Sequence, residues 1–478
     1  MRSNGSTSRR APSRGRERDG GGIPRRSFLK GVGAGVTAAA ALPALTAAAA
    51  SPKAVPLAAL SSPADDAAYW RLVRSCFVTE PGYSYLNTGT EGCSPVQVLE
   101  ATAECAHGCA ADPFGVGEMH DRIRRDLAMV AEFIGAEAEE VALMYNTTDG
   151  MNAVAHGLML GEGDEVLICD QEHPSGIHPW RRRAKHDGIV TREFSTSIAP
   201  GGPQVPFEPP ESPEWIVASL EAEITARTKL ISISHICYTT GLVLPVREIC
   251  ELAASRGILT LVDGAHPLGM LDLDMRELGC DFYAASGQKW LLGPLGTGIL
   301  YVRREMLDRV DPVVVSGGWD RPGTALKFMA RGSINVPAFY GSLAAFRFQR
   351  SIGKEKIERR VRALAGRLRA GLAEIPGIRL YTPSDTRLGA GLTSLRVDGC
   401  ENDLVLAALN ERYGLFPRTI GHDLNALRFS THIYNTEEEV DRSLIALREI
   451  ATHGLPELSA SEIRRSSVRA AAIESRCA

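Results

Sequence analysis

Lys289 sits in the run CDFYAASGQKWLLGPLGTGILYV, residues 280–302, whose only other charged residue is Asp281. A lysine in such apolar and small company costs free energy unless it is paired or used chemically. Upstream, Asp263 ends the run ILTLVD and is followed by the small pair Gly264–Ala265, and Thr147–Thr148 follow EVALMYN where a helical pattern begins. Singly, each has a plain reading: a lysine reaching to solvent, an aspartate capping a loop, a threonine pair capping a helix. Together they supply a desolvated amine, a carboxylate and a helix start that gathers N–H groups and hydroxyls on one anion-sized spot, without a Walker loop. Pyridoxal phosphate requires that combination: lysine for the imine, carboxylate to keep the pyridine nitrogen protonated, helix start for the phosphate.

The surrounding elements must bring these groups to one place. Strand patterns at EVALMY, DEVLICD, KLISISHI, ILTLVDGA, DFYAAS and GTGILYV alternate with helical patterns at DGMNAVAHGLML, HPWRRRAKHDG, LPVREICELAASRG and MRELGC. The fold class that follows is α/β, a mostly parallel sheet covered on both faces, whose ligands bind at the carboxyl ends of the strands. After about residue 323 a long helical region broken at Gly353, short strands near GAGLTSLRV and ALRFSTHIY, and a final helix capped by Thr436 predict a smaller α+β domain. The expected organisation is a signal at 1–50, a Pro/Ser/Ala linker at 51–64, and a segment at 65–95 packing with the small domain. A large domain at 96–322, the small domain at 323–456 and a polar tail at 457–478 complete it.

At 478 residues and 44% apolar content the chain can bury a sizeable core. The net charge of −4 divides into +7 over residues 1–30 and −11 over the rest, and an acidic body excludes a nucleic-acid partner. Arg25–Arg26–Ser27–Phe28–Leu29–Lys30 resembles the twin-arginine motif and precedes a mildly apolar, uncharged run to Ala50, so export by that machinery to the periplasm or beyond is expected. Cys105-x-His107-x-Cys109 lacks a second donor cluster, and no metal is expected.

The stretch LTLVDGAHPLGMLDLDMRELGCDFYAASGQKWLLGPLGTGILYVR resembles the cofactor region of class V aminotransferases, the fold-type I pyridoxal-phosphate group that includes cysteine desulfurases and isopenicillin N epimerase-like proteins. The similarity runs from about Tyr85 to His453. It implies Lys289 as the Schiff-base lysine, Asp263 as the pyridinium partner and His173 stacked on the ring. Thr147, Thr148, Ser286 and Gln288 would hold the phosphate, and His266 would approach the ring oxygen. Arg428 would grip the substrate carboxylate, with Arg418 as a second cation and Asn87 near the substrate. Ser333, beside Gly332, falls where the family lends a phosphate contact to a neighbouring subunit, which implies a homodimer. Taken alone, His173 and His266 read as hydrogen-bonded loop histidines and Arg428 as a structural ion pair.

Three departures alter the detail: Gln288 where a histidine is common, Tyr238 where desulfurases carry asparagine near the ring oxygen, and Ser333 for threonine. No cysteine lies between Arg418 and Arg428, where desulfurases carry their nucleophile, so desulfuration is disfavoured. The expected substrate is a small amino-bearing molecule, an exported peptide metabolite being one case. Aminotransfer is favoured on family prevalence, with epimerisation or β-elimination as alternatives and a non-catalytic binding protein last. A nicotinamide oxidoreductase fails for want of a strand–GxGxxG–helix unit.

Overall fold

Strand β1 (Ser84–Tyr85) is short and pairs away from the main sheet, which is built from the next seven. These are β2 (Val141–Met144), β3 (Glu165–Cys169), β4 (Val190–Phe194), β5 (Thr228–Ser234), β6 (Leu259–Asp263), β7 (Phe282–Ser286) and β8 (Gly298–Val302), in spatial order β2-β8-β7-β6-β5-β3-β4. Pairs among β3 to β7 are parallel, and β8 runs antiparallel to both its neighbours. Successive residues feed two separate cores: Ile231, Val262 and Tyr283 pack on one face and Leu230, Leu261 and Phe282 on the other. Burial on both faces is why these strands read as continuous apolar runs rather than alternating ones. The computed structural model describes residues 54–80, 82–198, 207–421 and 424–477. The twin-arginine motif, the rest of the signal and the start of the linker lie outside them.

Helices Thr147–Gly157, Pro174–Asp187 and Val246–Ser255 follow β2, β3 and β5. Gly188 ends the second in the left-handed conformation. Helix Val336–Ile352 gives way at Gly353 to Lys354–Ala373, and Thr436 forms a reciprocal capping box with Glu439 at the start of Glu437–His453. Strands β9 (Ile378–Leu380), β10 (Leu392–Val397), β11 (Leu415–Phe416), β12 (Arg418–Ile420) and β13 (Ala426–Ser430) complete the set. Four of them form an antiparallel sheet, β12-β13-β10-β9, while β11 pairs with β1. A third core lies between this sheet and the helices Lys354–Ala373 and Glu437–His453, with Leu364, Leu395, Phe429 and Val440 among its members. The described chain forms one compact unit.

Two segments differ from expectation. From residue 54 the presumed linker is pinned: Leu60 is fully buried, and Lys356 Nζ donates to the carbonyls of Ser62 and Ala64 at 2.5 and 2.9 Å. The presumed tail is a helix, Ala460–Cys477, tied to helix Asn402–Arg412 by a buried Asn410–Ser466 hydrogen bond of 2.9 Å and by ion pairs of Arg465 and Arg469 with Glu411. Helices Val96–Ala111 and Pro213–Glu223 and strand β4 are further elements that the sequence pattern did not reveal.

Candidate active site

The parallel register puts Ser234 opposite Asp263 and Asp263 opposite Ala284, so β5, β6 and β7 finish at one edge. Asp263 is buried there. Its Oδ1 accepts from the Ala265 N–H at 2.9 Å, and its Oδ2 is buried with no hydrogen-bond partner among the described residues. A Cβ on Gly264 would meet the Tyr283 ring at 1.9 Å, which accounts for the glycine beside the aspartate. Burial raises the Asp263 pKa, and the Ala265 N–H and the charge of Lys289 work against that rise.

Lys289 follows β7 in a turn fixed by its backbone. Gly287 N–H donates to Thr297 O at 2.7 Å, Gly293 N–H to Gly287 O at 2.8 Å, and Gly92 N–H to Gln288 O at 2.7 Å. The approach of Gly92 is so close that a Cβ would stand 2.0 Å from Lys289 O. Fully buried Leu292 completes the turn at φ 66°, a conformation that costs a non-glycine residue about 1–3 kcal/mol and that the surrounding packing must hold.

His266 is buried, and Trp290 Nε1 donates to its Nδ1 at 3.1 Å. Indole nitrogen only donates, so the ring proton of neutral His266 is on Nε2, an atom buried without a partner among the described residues. Burial first, then the nearby charges of Lys289 and Arg428, keeps His266 far below its ordinary pKa and hence neutral. His173 caps helix Pro174–Asp187, its Nδ1 accepting from the Ser175 N–H at 3.2 Å, and Tyr238 packs edge-on against its ring at 5.1 Å.

On the other side, Arg418 of β12 and Arg428 of β13 are direct cross-strand partners. Both donate to Thr90 Oγ1, at 3.1 and 3.2 Å, and Arg428 also donates to Tyr238 O at 2.8 Å and to Asn87 Oδ1 at 3.4 Å. Two guanidiniums placed opposite each other on neighbouring strands are suited to grip one carboxylate. Thr147 N–H and Oγ1 bond Ser286 Oγ at 3.1 and 2.7 Å, which joins the helix start to the end of β7, and Gln288 Oε1 is buried without a partner among the described residues. Thr148 is exposed at the helix start. Ser333 is exposed and takes no part in this network, so a role for it would need a second copy of the chain.

Contacts connect Asn87, Arg418 and Arg428 to Tyr238 and through it to His173, and join Thr147 to Ser286, while the charges of Lys289 and Arg428 act on buried His266 and that of Lys289 on Asp263; Thr148 is only the sequence neighbour of Thr147, and Ser333 lies outside. The residues fit pyridoxal phosphate. Asp263 Oδ2 is a lone buried acceptor suited to a pyridine N–H, and His266 Nε2–H is a lone buried donor suited to a ring oxygen.

Residues 95–443 match the family described as Aminotransferase class-V, and the chain belongs to that family of pyridoxal-phosphate-dependent enzymes with the fold-type I architecture. It is 33% identical over 397 residues to isopenicillin N epimerase of Streptomyces clavuligerus, an alignment covering 79% of this chain and 97% of the relative. A probable cysteine desulfurase of Methanothermobacter thermautotrophicus is 30% identical, over 68% of this chain and 82% of the relative. Among solved structures, a mutant of C-DES with glycine covalently linked to its PLP cofactor aligns with TM-score 0.68 and 26% identity, over 77% of this chain and 97% of that one.

Sequence reasoning missed Thr90, Gly92, Trp290 and Glu172. Glu172 is fully enclosed, accepting the Ser234 N–H at 2.6 Å and the Ser234 hydroxyl at 2.7 Å. Burial, then the neighbouring Asp263 charge, pushes its pKa to about 8. A carboxyl whose folded pKa lies above its unfolded value contributes stability that is complete below the unfolded value of 4.5 and lost as pH rises through about 8. Glu172→Gln retains an oxygen acceptor for Ser234 and has no charge to acquire. Its melting temperature, measured across that window, should decline less than that of the wild type, the difference corresponding to at most about 5 kcal/mol.

Proposed function

We propose that the enzyme removes and returns the proton on the amine-bearing carbon of a carboxylate-containing amino compound, inverting that centre. The convergence of Arg418 and Arg428 on Thr90, two residues from the Gly92 clamp on the Lys289 backbone, carries the reading, because it sets a carboxylate grip beside the turn that bears Lys289. Inversion is placed ahead of aminotransfer because a relative aligned over 97% of its length is an epimerase.

Bound at this site, pyridoxal phosphate supplies an aldehyde that captures a primary amine and a ring that withdraws electrons from the adjoining carbon. Lys289 Nζ would anchor the cofactor and, when its amine is free, would take the proton from the amine-bearing carbon of the substrate. Asp263 Oδ2 would accept the ring N–H, His266 Nε2–H would donate to the ring oxygen, and the start of helix Thr147–Gly157 with Ser286 and Gln288 would hold the phosphate. Arg418 and Arg428 fix the carboxylate, which aligns the carbon with Lys289. Inversion needs a second proton carrier besides Lys289, and we assign that role to His173.

Reaction of the holoenzyme with chiral amino compounds in deuterium oxide tests this. The expected product is inverted, deuterated at the reacting carbon and accompanied by no keto acid. Keto acid formation would put aminotransfer first. Release of sulfide or pyruvate from cysteine or cystine would favour β-elimination, a reading supported by the desulfurase relatives and opposed by the absence of a cysteine between Arg418 and Arg428.

A further inference from the structure

Trp290, the residue after Lys289, is fully buried and held at both its carbonyl and its indole. The carbonyl accepts from Gln349 Nε2 at 2.5 Å and from His432 Nε2 at 2.8 Å; a carbonyl only accepts, so neutral His432 carries its proton on Nε2. Burial lowers the His432 pKa to about 4 and keeps that ring neutral. Gln349 belongs to helix Val336–Ile352, and His432 follows β13, the strand that carries Arg428, so two separate elements grip one peptide group.

The indole is fitted as closely. A Cβ on Gly391 would stand 2.6 Å from its Cη2 and 2.7 Å from its Cζ3, and the His432 ring lies against it with centroids 5.2 Å apart. Packing of that density holds one rotamer, and Nε1 stays aimed at His266 Nδ1, 3.1 Å away. A buried indole N–H needs an acceptor, so the nitrogen facing it must be a bare lone pair. His266 then presents Nε2–H on its far side, where that atom is buried without a partner among the described residues.

We propose that Trp290 is a positioning residue: through His266 it fixes which imidazole nitrogen carries the proton, and so keeps a hydrogen-bond donor aimed at the ring oxygen of the cofactor. His432 and Gln349 hold Trp290 for that task. In the other tautomer His266 would turn a lone pair toward the oxygen and repel it. A donor at that oxygen draws electron density from it and makes the neighbouring nitrogen, through which the cofactor joins Lys289, less basic. The inference rests on the reading that His266 faces the ring oxygen.

Two readouts separate the inference from that reading. In cofactor-free protein with nitrogen-15-labelled histidine, the His266 resonances, identified by their loss in His266→Gln, should show the proton on Nε2. In Trp290→Phe, which keeps a ring and deletes the donor, a population protonated on Nδ1 should appear. In the loaded enzyme the pH midpoint of the cofactor absorbance reports the basicity of the linking nitrogen, and Trp290→Phe should raise it by roughly one pH unit, the worth of one weakened hydrogen bond to a charged group. A glutamine amide always has an N–H to donate and no tautomer to set, so in the His266→Gln background Trp290→Phe should move the midpoint by less than about 0.3 pH unit. If Trp290→Phe fails to fold, Gly391→Ala, whose added Cβ pushes the indole off its line, should shift both readouts in the same direction. A wild-type His266 protonated on Nδ1, or no change in either readout, would overturn the role of Trp290. So would an equal midpoint shift in both backgrounds, which packing alone would produce. A midpoint indifferent to His266→Phe would sink the placement of His266 at the ring oxygen and the cofactor role with it, while the tautomer spectra would still show whether Trp290 governs His266.

Discussion

Lys289→Ala is expected to lose more than about 10⁴-fold in activity while remaining folded, because it removes anchoring and proton transfer together, and proton transfer alone is worth 10²–10⁴. Stability should change little. The turn is held by backbone bonds from Gly92, Gly287 and Gly293 that the substitution leaves in place, and the side chain is only half-buried. Borohydride reduction followed by digestion and mass spectrometry should find the cofactor mass on the peptide containing residue 289 in the wild type and nowhere in the variant. A small primary amine added to the variant should restore part of the proton exchange at the substrate carbon, since it replaces the missing base without the tether. A folded Lys289→Ala protein with full turnover would remove the amine from the chemistry and, with it, the account of why a lysine stands in that apolar run.

Much of the site was legible because its residues sit where local pattern changes to loop. Asp263 ends an apolar run buried on both faces, Lys289 follows the next such run, and the Thr147 helix start follows β2. Those transitions are readable from neighbours in sequence. Glu172 had no such signal: in DQEHP it looks like one more loop acid, and its enclosure depends on Ser234, on a different strand. Gly92 likewise carries meaning only through its contact with the Lys289 turn. The segment from 54 to 64 read as linker because Pro, Ser and Ala supply few apolar side chains, yet its backbone carbonyls, which composition cannot report, are what Lys356 holds. Residues 460–477 read as a polar tail because polar residues dominate and residues 460–471 are mostly exposed; what docks the helix is one buried Asn410–Ser466 bond and a pair of arginines facing Glu411.

The Asp263 carboxylate can be isolated from its own scaffold. In Asp263→Asn the amide oxygen can still accept the Ala265 N–H, so the end of β6 keeps its 2.9 Å contact, and the amide NH₂ takes the place of Oδ2. A donor there faces the pyridine nitrogen and leaves it unprotonated, which removes the electron withdrawal that makes the substrate carbon acidic. Proton exchange should fall by roughly 10²–10³-fold, the loss typical of deleting one preorganised electrostatic partner, while cofactor retention, governed by Lys289 and the phosphate site, declines far less. The variant also loses the charge that helps hold Glu172 protonated, so the Glu172 pKa should drop from about 8 and the decline in stability on the alkaline side should shift to lower pH. Burial, the larger cause, remains, which is why the drop is partial. Parallel thermal melts and exchange rates across pH would read both effects in one protein. Unchanged exchange with unchanged melts would show that Asp263 faces neither the ring nitrogen nor Glu172.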